Sequence, residues 1–216
     1  MNFELARTQM LGQQLRAWDV LDDRVLDAVA SVPRERFVPE EFRSLAFADI
    51  EIPLPHGQCM LAPKIEGRLL QALAIEPTDE VLEVGTGTGY LTAVIARLAR
   101  RVVSIDIFPD FIERAHMSLA EREVGNVELV TGDALAFEPP GRFDAIAVTG
   151  SVPKLDDHFI RMLKPGGRLF IVVGRPPVME ALLVTKAADE RHSTESLFET
   201  VLTPLVNAEL PEPFVL

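Results

Sequence analysis

Apolar and polar residues along this chain follow two different patterns, and the change between them divides the chain into two parts. Within residues 3–31 the apolar side chains recur at helical spacing, with Asp22 as a candidate cap, which predicts two helices that end before Pro33. From Pro33 to Pro63 the chain contains five prolines among many large apolar residues. That composition predicts a long, ordered, loop-rich segment.

After Pro63 short apolar runs alternate regularly with amphipathic segments. Helices are predicted near 64–74, 89–99, 110–123 and 155–163, and strands at 80–84, 101–107, 127–131, 143–149 and 168–173. Strands separated by helices indicate a mostly parallel sheet with helices on both faces. Two further apolar runs, 181–187 and 197–206, have no helix between them and predict an antiparallel edge that completes a seven-stranded sheet.

These elements predict one α/β unit, in which an N-terminal helical and loop extension (1–62) packs on a core (63–216). A chain of 216 residues that is 48% hydrophobic can bury such a core. Charged residues such as Glu4 and Arg7 interrupt the start, so we expect no signal peptide. No apolar run approaches the roughly 20 residues of a membrane-spanning helix.

Charge and cysteine content narrow the classes of partner. A net charge of −12 disfavours nucleic acid and anionic membranes, because binding them requires clustered Lys and Arg. The single cysteine, Cys59, cannot form an internal disulfide, which favours a cytoplasmic location; a cysteine-poor secreted protein is the alternative.

The stretch VLEVGTGTGY at 81–90 has three glycines at alternate positions directly after a predicted strand. A glycine turn at a strand end lets a ligand lie against bare backbone. The dinucleotide pattern Gly-x-Gly-x-x-Gly fails in both registers, since Tyr90 or Thr92 stands at its third position, and no Walker motif follows. A simple tight turn is the alternative interpretation.

Glu83-x-Gly85-x-Gly87-x-Gly89 resembles the first motif of class I S-adenosylmethionine-dependent methyltransferases. The resemblance implies a cofactor that has no phosphate but carries an ammonium and a sulfonium cation, for which nearby carboxylates are favourable. Asp106 ends the next predicted strand, where a carboxylate would accept the ribose hydroxyls. Its alternative role is a helix cap before Pro109.

The segment Gly132-Asp133-Ala134 closes the following predicted strand. Asp133 would there accept a hydrogen bond from the adenine amino group, and its alternative role is that of a turn residue. Because polar groups at three successive strand ends meet at one edge of a parallel sheet, we expect them to form one site.

Five stretches carry a closer resemblance: RERFVPEEFRSLAFADIEIPLPHGQ (34–58), GTGTGY (85–90), FDAIAVTG (143–150), LKPGGRLFIVVG (163–174) and LFETVLTPL (197–205). In this order they resemble the protein-L-isoaspartate O-methyltransferase family over nearly the whole chain. The resemblance implies a Rossmann-like class I methyltransferase fold. It also implies methylation of the free carboxylate of isoaspartyl residues in age-damaged proteins, the start of their repair.

The same resemblance assigns roles to individual residues and lets the segment 53–63 form a wall of the acceptor site. The residues expected to contact S-adenosyl-L-methionine are Glu83, Gly85, Thr86, Gly87, Gly89, Tyr90, Asp106, Ile107, Asp133 and Ala134. A carboxylate acceptor is already ionised at neutral pH, so the reaction needs no general base. We expect no metal, since Asp156-Asp157-His158 is typical of a helix start.

The chain departs from the family at one point in this wall. The family usually has Gln-Thr-Ile-Ser where this chain has Gln58-Cys59-Met60-Leu61, so Leu61 occupies the position of the serine linked to catalysis. We predict His56, Cys59 and the Leu61 position as the catalytic side, although Cys59 and His56 have the alternative of a purely packing role. A different carboxylate or small-molecule acceptor, or a cofactor-binding homologue without catalysis, is the competing hypothesis.

Overall fold

A computed structural model describes residues 2–208. The helices are α1 (Phe3–Met10), α2 (Asp23–Ser31), α3 (Pro63–Leu73), α4 (Tyr90–Leu98), α5 (Pro109–Ala120) and α6 (Asp157–Arg161). The strands are β1 (Ile52–Pro53), β2 (Cys59–Met60), β3 (Glu80–Val84), β4 (Arg101–Asp106), β5 (Val127–Thr131), β6 (Phe143–Val152), β7 (Leu163–Arg175), β8 (Val178–Lys186) and β9 (His192–Glu199). Among these described residues, no helix has the length and apolar character that a membrane crossing requires.

The main sheet has seven strands in the order β5-β4-β3-β6-β7-β8-β9. Strands β3 to β7 pair in parallel, while β8 and β9 add in antiparallel fashion. This confirms the predicted fold class, a Rossmann-like sheet with an antiparallel edge. The chain runs outward from β3 to β5 and then returns to β6 on the other side of β3. That reversal leaves a crevice at the carboxyl ends of β3 and its neighbours.

Successive residues of the central strands pack on opposite faces of the sheet, as in a strand buried on both sides. Val81 and Val102 belong to one hydrophobic cluster, whereas Leu82 and Val103 belong to the other. The first cluster also contains residues of the N-terminal part, among them Met10 and residues of α2. We therefore propose that the division near residue 62 separates an extension from a core without separating two hydrophobic interiors.

Irregular structure fills the proline-rich segment, as predicted. It contains three short 3-10 helices, Arg34–Arg36, Glu40–Leu45 and Pro55–Gly57, and the small antiparallel pair of β1 and β2. The many apolar residues of this segment explain why it is ordered, because several of them enter the first hydrophobic cluster.

The prediction of a strand over 197–206 is wrong in its bounds. The edge strand β9 begins earlier, at His192, and ends at Glu199. The residues after it leave the sheet and run to Ser151, which forms an isolated parallel bridge with Pro204. The physical reason is burial: Leu202 is only 2% exposed, so its apolar side chain packs inside instead of alternating along an exposed edge.

Candidate active site

The crevice at the carboxyl ends of the parallel strands forms an open cleft with about 720 Å³ of empty space. Its floor comes from the ends of β3, β4 and β6 and from the turn after β5. Its lining residues are Leu54, Gln58, Cys59, Val84, Gly85, Gly87, Ile105, Asp106, Ile107, Phe108, Phe111, Gly132, Asp133, Ala134, Leu135, Thr149, Gly150, Thr203, Leu205 and Val206. Seven of the residues proposed from the sequence are in this set: Cys59, Gly85, Gly87, Asp106, Ile107, Asp133 and Ala134.

The first two glycines of the motif bring bare backbone to the cleft. Gly85 has a φ of +94°, and a Cβ there would lie 2.2 Å from the Thr149 hydroxyl. That hydroxyl donates hydrogen bonds to the carbonyl oxygens of Val84 (2.9 Å) and Gly85 (3.1 Å), which holds the end of β3. At Gly87 a Cβ would meet only Leu54, at 3.7 Å, so this face of the turn is open.

Asp106 lies at the end of β4 and holds the glycine turn. Its Oδ2 accepts a hydrogen bond from the backbone N–H of Gly87 at 2.9 Å, and its Oδ1 accepts one from Phe108 at 3.0 Å. Burial raises the pKa of Asp106, while these two backbone hydrogen bonds oppose the rise. A carboxylate has about four acceptor positions, so Asp106 can still accept hydroxyl groups from a ligand.

Asp133, in the turn after β5, is held in a similar way. Its Oδ1 accepts from the backbone N–H of Leu135 at 2.9 Å, which confirms the alternative interpretation of a turn residue. Its Oδ2 accepts from the side chain of Asn207 at 2.9 Å. Asp133 therefore stabilises its turn and also lines the cleft.

Glu83 lies beneath the cleft and does not line it, in contrast to its predicted role. The alternation of β3 directs its buried side chain toward α4, where its Oε2 accepts hydrogen bonds of 2.5 Å from the hydroxyls of Thr92 and Ser104. Its Oε1 has no hydrogen-bond partner among the described residues. Burial raises the pKa of Glu83 to about 8, although the two hydroxyls oppose this. The side chain is therefore mostly protonated at neutral pH.

Thr86, Gly89 and Tyr90 also lie outside the cleft lining. The Thr86 hydroxyl is 2.6 Å from that of Ser104 and is buried. Gly89 has a φ of +79°, and a Cβ there would come within 3.0 Å of the Cβ of Ala115, so this glycine permits α4 and α5 to pack closely. Tyr90 is 2% exposed. These residues support the turn from behind.

The three residues predicted for the catalytic side lie in different environments in the structure. Cys59 lines the cleft, and burial, assisted by Glu51, raises the pKa of its thiol to about 12, so it stays protonated. Leu61 is 5% exposed and belongs to the first hydrophobic cluster. The position of the motif serine therefore faces the interior and does not line the cleft.

His56 lies just outside the cleft and supports one of its walls. Its ring stacks on Phe108 with centroids 4.1 Å apart and planes within 5°, and its Nε2 is 2.9 Å from Oδ1 of Asp110. Phe108 and Phe111 line the cleft, so His56 packs behind an aromatic wall. The structure links this loop to the start of α5.

A buried arginine that sequence reasoning missed connects the acceptor wall to the rest of the chain. Arg34 is 1% exposed and forms an ion pair with Glu66 on α3. Its guanidinium also donates to the carbonyl oxygens of Ala46 (2.8 Å) and Leu61 (2.6 Å) and lies over the ring of Tyr90 at 4.6 Å. The only sequence signal was its place in the family-like stretch that begins at residue 34.

The segment after β9 covers another side of the cleft and was also missed, because it was interpreted as a strand. Thr203, Leu205 and Val206 line the cleft. The backbone of Ser151 donates to the carbonyl oxygen of Thr203 at 3.0 Å and accepts from Leu205 at 2.8 Å. The Ser151 hydroxyl donates to Leu202 at 2.9 Å. These bonds fix the segment against β6.

Asp156, Asp157 and His158 form the start of a helix, as predicted. Asp156 accepts a hydrogen bond from the backbone of His158 at 2.7 Å and thereby caps α6. His158 Nε2 donates to the carbonyl oxygen of Ala134 at 2.8 Å, so this helix supports the turn that carries Asp133.

The charge of the cleft selects among ligands. Its described lining contains two carboxylates, Asp106 and Asp133, and no lysine or arginine. Phosphate groups would be repelled there, whereas a cationic group is favoured and hydroxyl or amino groups find acceptors. The lining therefore fits a nucleoside that carries a positive charge.

This sheet order and this acidic cleft beside a glycine turn define a class I methyltransferase. The chain belongs to the protein-L-isoaspartate(D-aspartate) O-methyltransferase family, whose model matches residues 6–210. It is 38% identical over 207 residues to a protein-L-isoaspartate O-methyltransferase of Koribacter versatilis, with 94% of this chain and 92% of the relative covered. It is 40% identical over 187 residues to a second enzyme of this name from Anaeromyxobacter sp. (strain Fw109-5), covering 86% and 77%.

A solved structure from Plasmodium falciparum, named as a protein-L-isoaspartate O-methyltransferase in complex with S-adenosyl-L-homocysteine, has the same fold. Its TM-score with this chain is 0.81, at 19% sequence identity, and the comparison covers 95% of this chain and 98% of the other. At that identity the likeness concerns the fold alone.

Proposed function

We propose that this chain is an S-adenosyl-L-methionine-dependent protein-L-isoaspartate O-methyltransferase, which methylates the free carboxylate of an isoaspartyl residue in a protein or peptide. The observation that carries this proposal is the cleft itself, where a bare glycine turn and two carboxylates meet and the lining within residues 2–208 contains no basic side chain. Membership of the family supports the reaction type. The single, free cysteine supports a cytoplasmic location.

Four residues would hold the cofactor in this proposal. The backbone at Gly85 and Gly87 would receive the amino-acid end, Asp106 would accept ribose hydroxyls, and Asp133 would accept the adenine amino group. The cofactor, when bound, supplies a methyl group activated by a sulfonium. The S-adenosyl-L-homocysteine bound in the related Plasmodium falciparum protein supports the same ligand class here.

The chain's own residues need only bind and orient the acceptor. The free α-carboxyl of an isoaspartyl residue has a pKa of about 3.3–3.7 and is ionised at neutral pH, so no side chain has to remove a proton. The Cys59 thiol, with its pKa near 12, is neither a base nor a nucleophile. Rate enhancement then comes from proximity and orientation. Apolar side chains such as Leu54, Phe108 and Phe111 line the cleft and would exclude water from the reacting groups once the substrates are bound.

Polar groups on the acceptor side are few. Gln58, Cys59 and Thr203 line the cleft there, and we propose that they orient the acceptor carboxylate in place of the missing serine hydroxyl. His56 would act as a positioning residue through Phe108. Leu61 would contribute through its buried side chain and its carbonyl group.

Two measurements test this function. Calorimetry should detect binding of S-adenosyl-L-methionine and not of NAD; the reverse result would overturn the assignment of the cleft. Transfer of a labelled methyl group should occur to an isoaspartyl peptide and not to the matched aspartyl peptide. Cofactor binding without any transfer to the isoaspartyl peptide would favour the competing hypothesis of another acceptor or of a chain without catalysis.

A further inference from the structure

A second groove adjoins the cleft. Leu54, Gly87 and Phe111 line both, so the two spaces share a wall. The groove has about 820 Å³ of empty space and runs between the segment 36–39 and α5. A peptide whose reacting residue enters the cleft could therefore place a neighbouring residue in this groove.

Two arginines distinguish the groove from the cleft. Arg36 stands on one wall and Arg114 on the other, and both are exposed. Neither guanidinium group forms an ion pair or a hydrogen bond with another described residue. Most cations of this chain are paired with carboxylates; examples are Arg24 with Glu76 and Arg168 with Asp79. Two unpaired cations in one groove leave charge available for a ligand.

The one acidic residue in the described lining of the groove does not neutralise these arginines. This acidic residue is Glu121, whose carboxylate lies 3.3 Å from a guanidinium nitrogen of Arg122. The groove is thus locally positive in a chain whose net charge is −12. An anionic acceptor is repelled by the net negative charge of the protein and by the two carboxylates of the cleft. A positive surface beside the cleft opposes this repulsion and favours the approach of the acceptor.

We propose that the groove between Arg36 and Arg114 binds an acidic residue flanking the acceptor, so that the enzyme prefers isoaspartyl sites in acidic peptide sequences. This inference rests on the proposed function. It deepens that function by naming the class of peptide. The apolar residues Phe37, Val38 and Pro39 would hold the peptide backbone against the groove floor.

The experiment uses three isoaspartyl peptides that differ only in flanking residues, which are Glu, Gln or Lys. The native enzyme should show the highest kcat/KM for the Glu peptide. In Arg36→Gln and in Arg114→Gln the ratio of kcat/KM for the Glu and Gln peptides should fall about two- to fivefold, the range of an exposed ion pair, and further in the double variant. The native preference should also weaken at high salt.

Arg97→Gln is the matched control, since Arg97 is an exposed arginine of α4 that lines neither the cleft nor the groove. It should keep the native ratio. An unchanged ratio in the double variant, or the same fall in the Arg97 control, would overturn the proposal. Charge reversal by Arg36→Glu should move the preference toward the Lys peptide, and thermal melting of each variant checks folding.

A second readout separates this inference from the proposed function. Fluorescence anisotropy measures binding of labelled peptides without turnover, and tighter binding of the Glu peptide, lost in the double variant, supports the groove even if no methyl is transferred. Methyl transfer to all three peptides at equal kcat/KM would instead agree with the proposed function and would contradict the binding of an acidic flanking residue in the groove.

Discussion

The two sides of the cleft are held by different kinds of contact. On the proposed cofactor side, Asp106 and Asp133 each accept a hydrogen bond from a backbone N–H two residues further along the chain, and each accepts a second one from a distant residue, Gly87 and Asn207 respectively. On the acceptor side, the carbonyl group of Leu61 depends on Arg34, 27 residues away, and the segment at Leu202 is held by a side chain 51 residues away. Local turns at strand ends therefore help to position the two carboxylates, whereas both of these contacts on the acceptor side join distant segments.

From this difference we expect substitutions on the two sides to affect different properties, ligand binding on one side and stability on the other. Residues of the cofactor side stand at the rim of a stable sheet, so their loss should weaken ligand binding more than folding. The acceptor side is continuous with a buried network, so substitutions there should reduce stability first.

Arg34→Met should lower the free energy of unfolding by about 3–5 kcal/mol, because it leaves the Glu66 carboxylate buried without its cation. Urea unfolding monitored by circular dichroism measures this. The double variant Arg34→Met with Glu66→Leu should recover much of the loss, since both buried charges are then removed. A single variant within about 1 kcal/mol of the native protein would contradict the importance of this network.

Leu61→Ser should also destabilise the protein, by about 2–5 kcal/mol, because it removes a buried leucine side chain. It should not raise methyl transfer, since this position faces the interior. Cys59→Thr places a hydroxyl at the neighbouring position that does line the cleft and is the matched comparison. Faster transfer by Leu61→Ser would show that residue 61 reaches the acceptor after all.

Asp106→Ala should weaken binding of S-adenosyl-L-methionine about 100-fold, because hydrogen bonds to a charged group contribute about 1.5–3 kcal/mol each and both the turn and the ribose lose such a bond. Calorimetry gives the dissociation constant. Asp27→Asn, at an exposed position of α2, is the control and should bind normally. A loss of affinity of less than about threefold would mean that Asp106 does not bind the ribose.

Glu83→Gln should change how stability depends on pH. The pKa of Glu83 is raised from 4.5 to about 8 in the folded protein, so the stabilisation by its proton is complete below about pH 4.5 and is lost as the pH rises through 8. Between pH 5 and pH 8 the native protein should lose at least about 1 kcal/mol relative to the variant, the free energy of one pKa unit. Parallel urea titrations measure the difference, and superimposable pH profiles would mean that Glu83 is ionised.

Much of the fold followed from local patterns. The bounds of β3 and β5 agree with the predicted strands 80–84 and 127–131, because short, mostly apolar runs bounded by turn residues specify strands even where burial is incomplete. The strand predicted over 197–206 failed for the opposite reason. Its apolar residues pack against β6 and the cleft, which no local period could indicate.

The order of strands and helices can be inferred from the sequence alone, and so can a glycine turn and two carboxylates that meet at successive strand ends, since parallel strands bring their carboxyl ends to one edge. Three features depend on tertiary packing instead: Glu83 is buried below the cleft, Cys59 lines the cleft while Leu61 does not, and Arg34 holds the acceptor wall. The reason is that burial and charge pairing depend on which distant segments meet, and one-dimensional spacing does not contain that information.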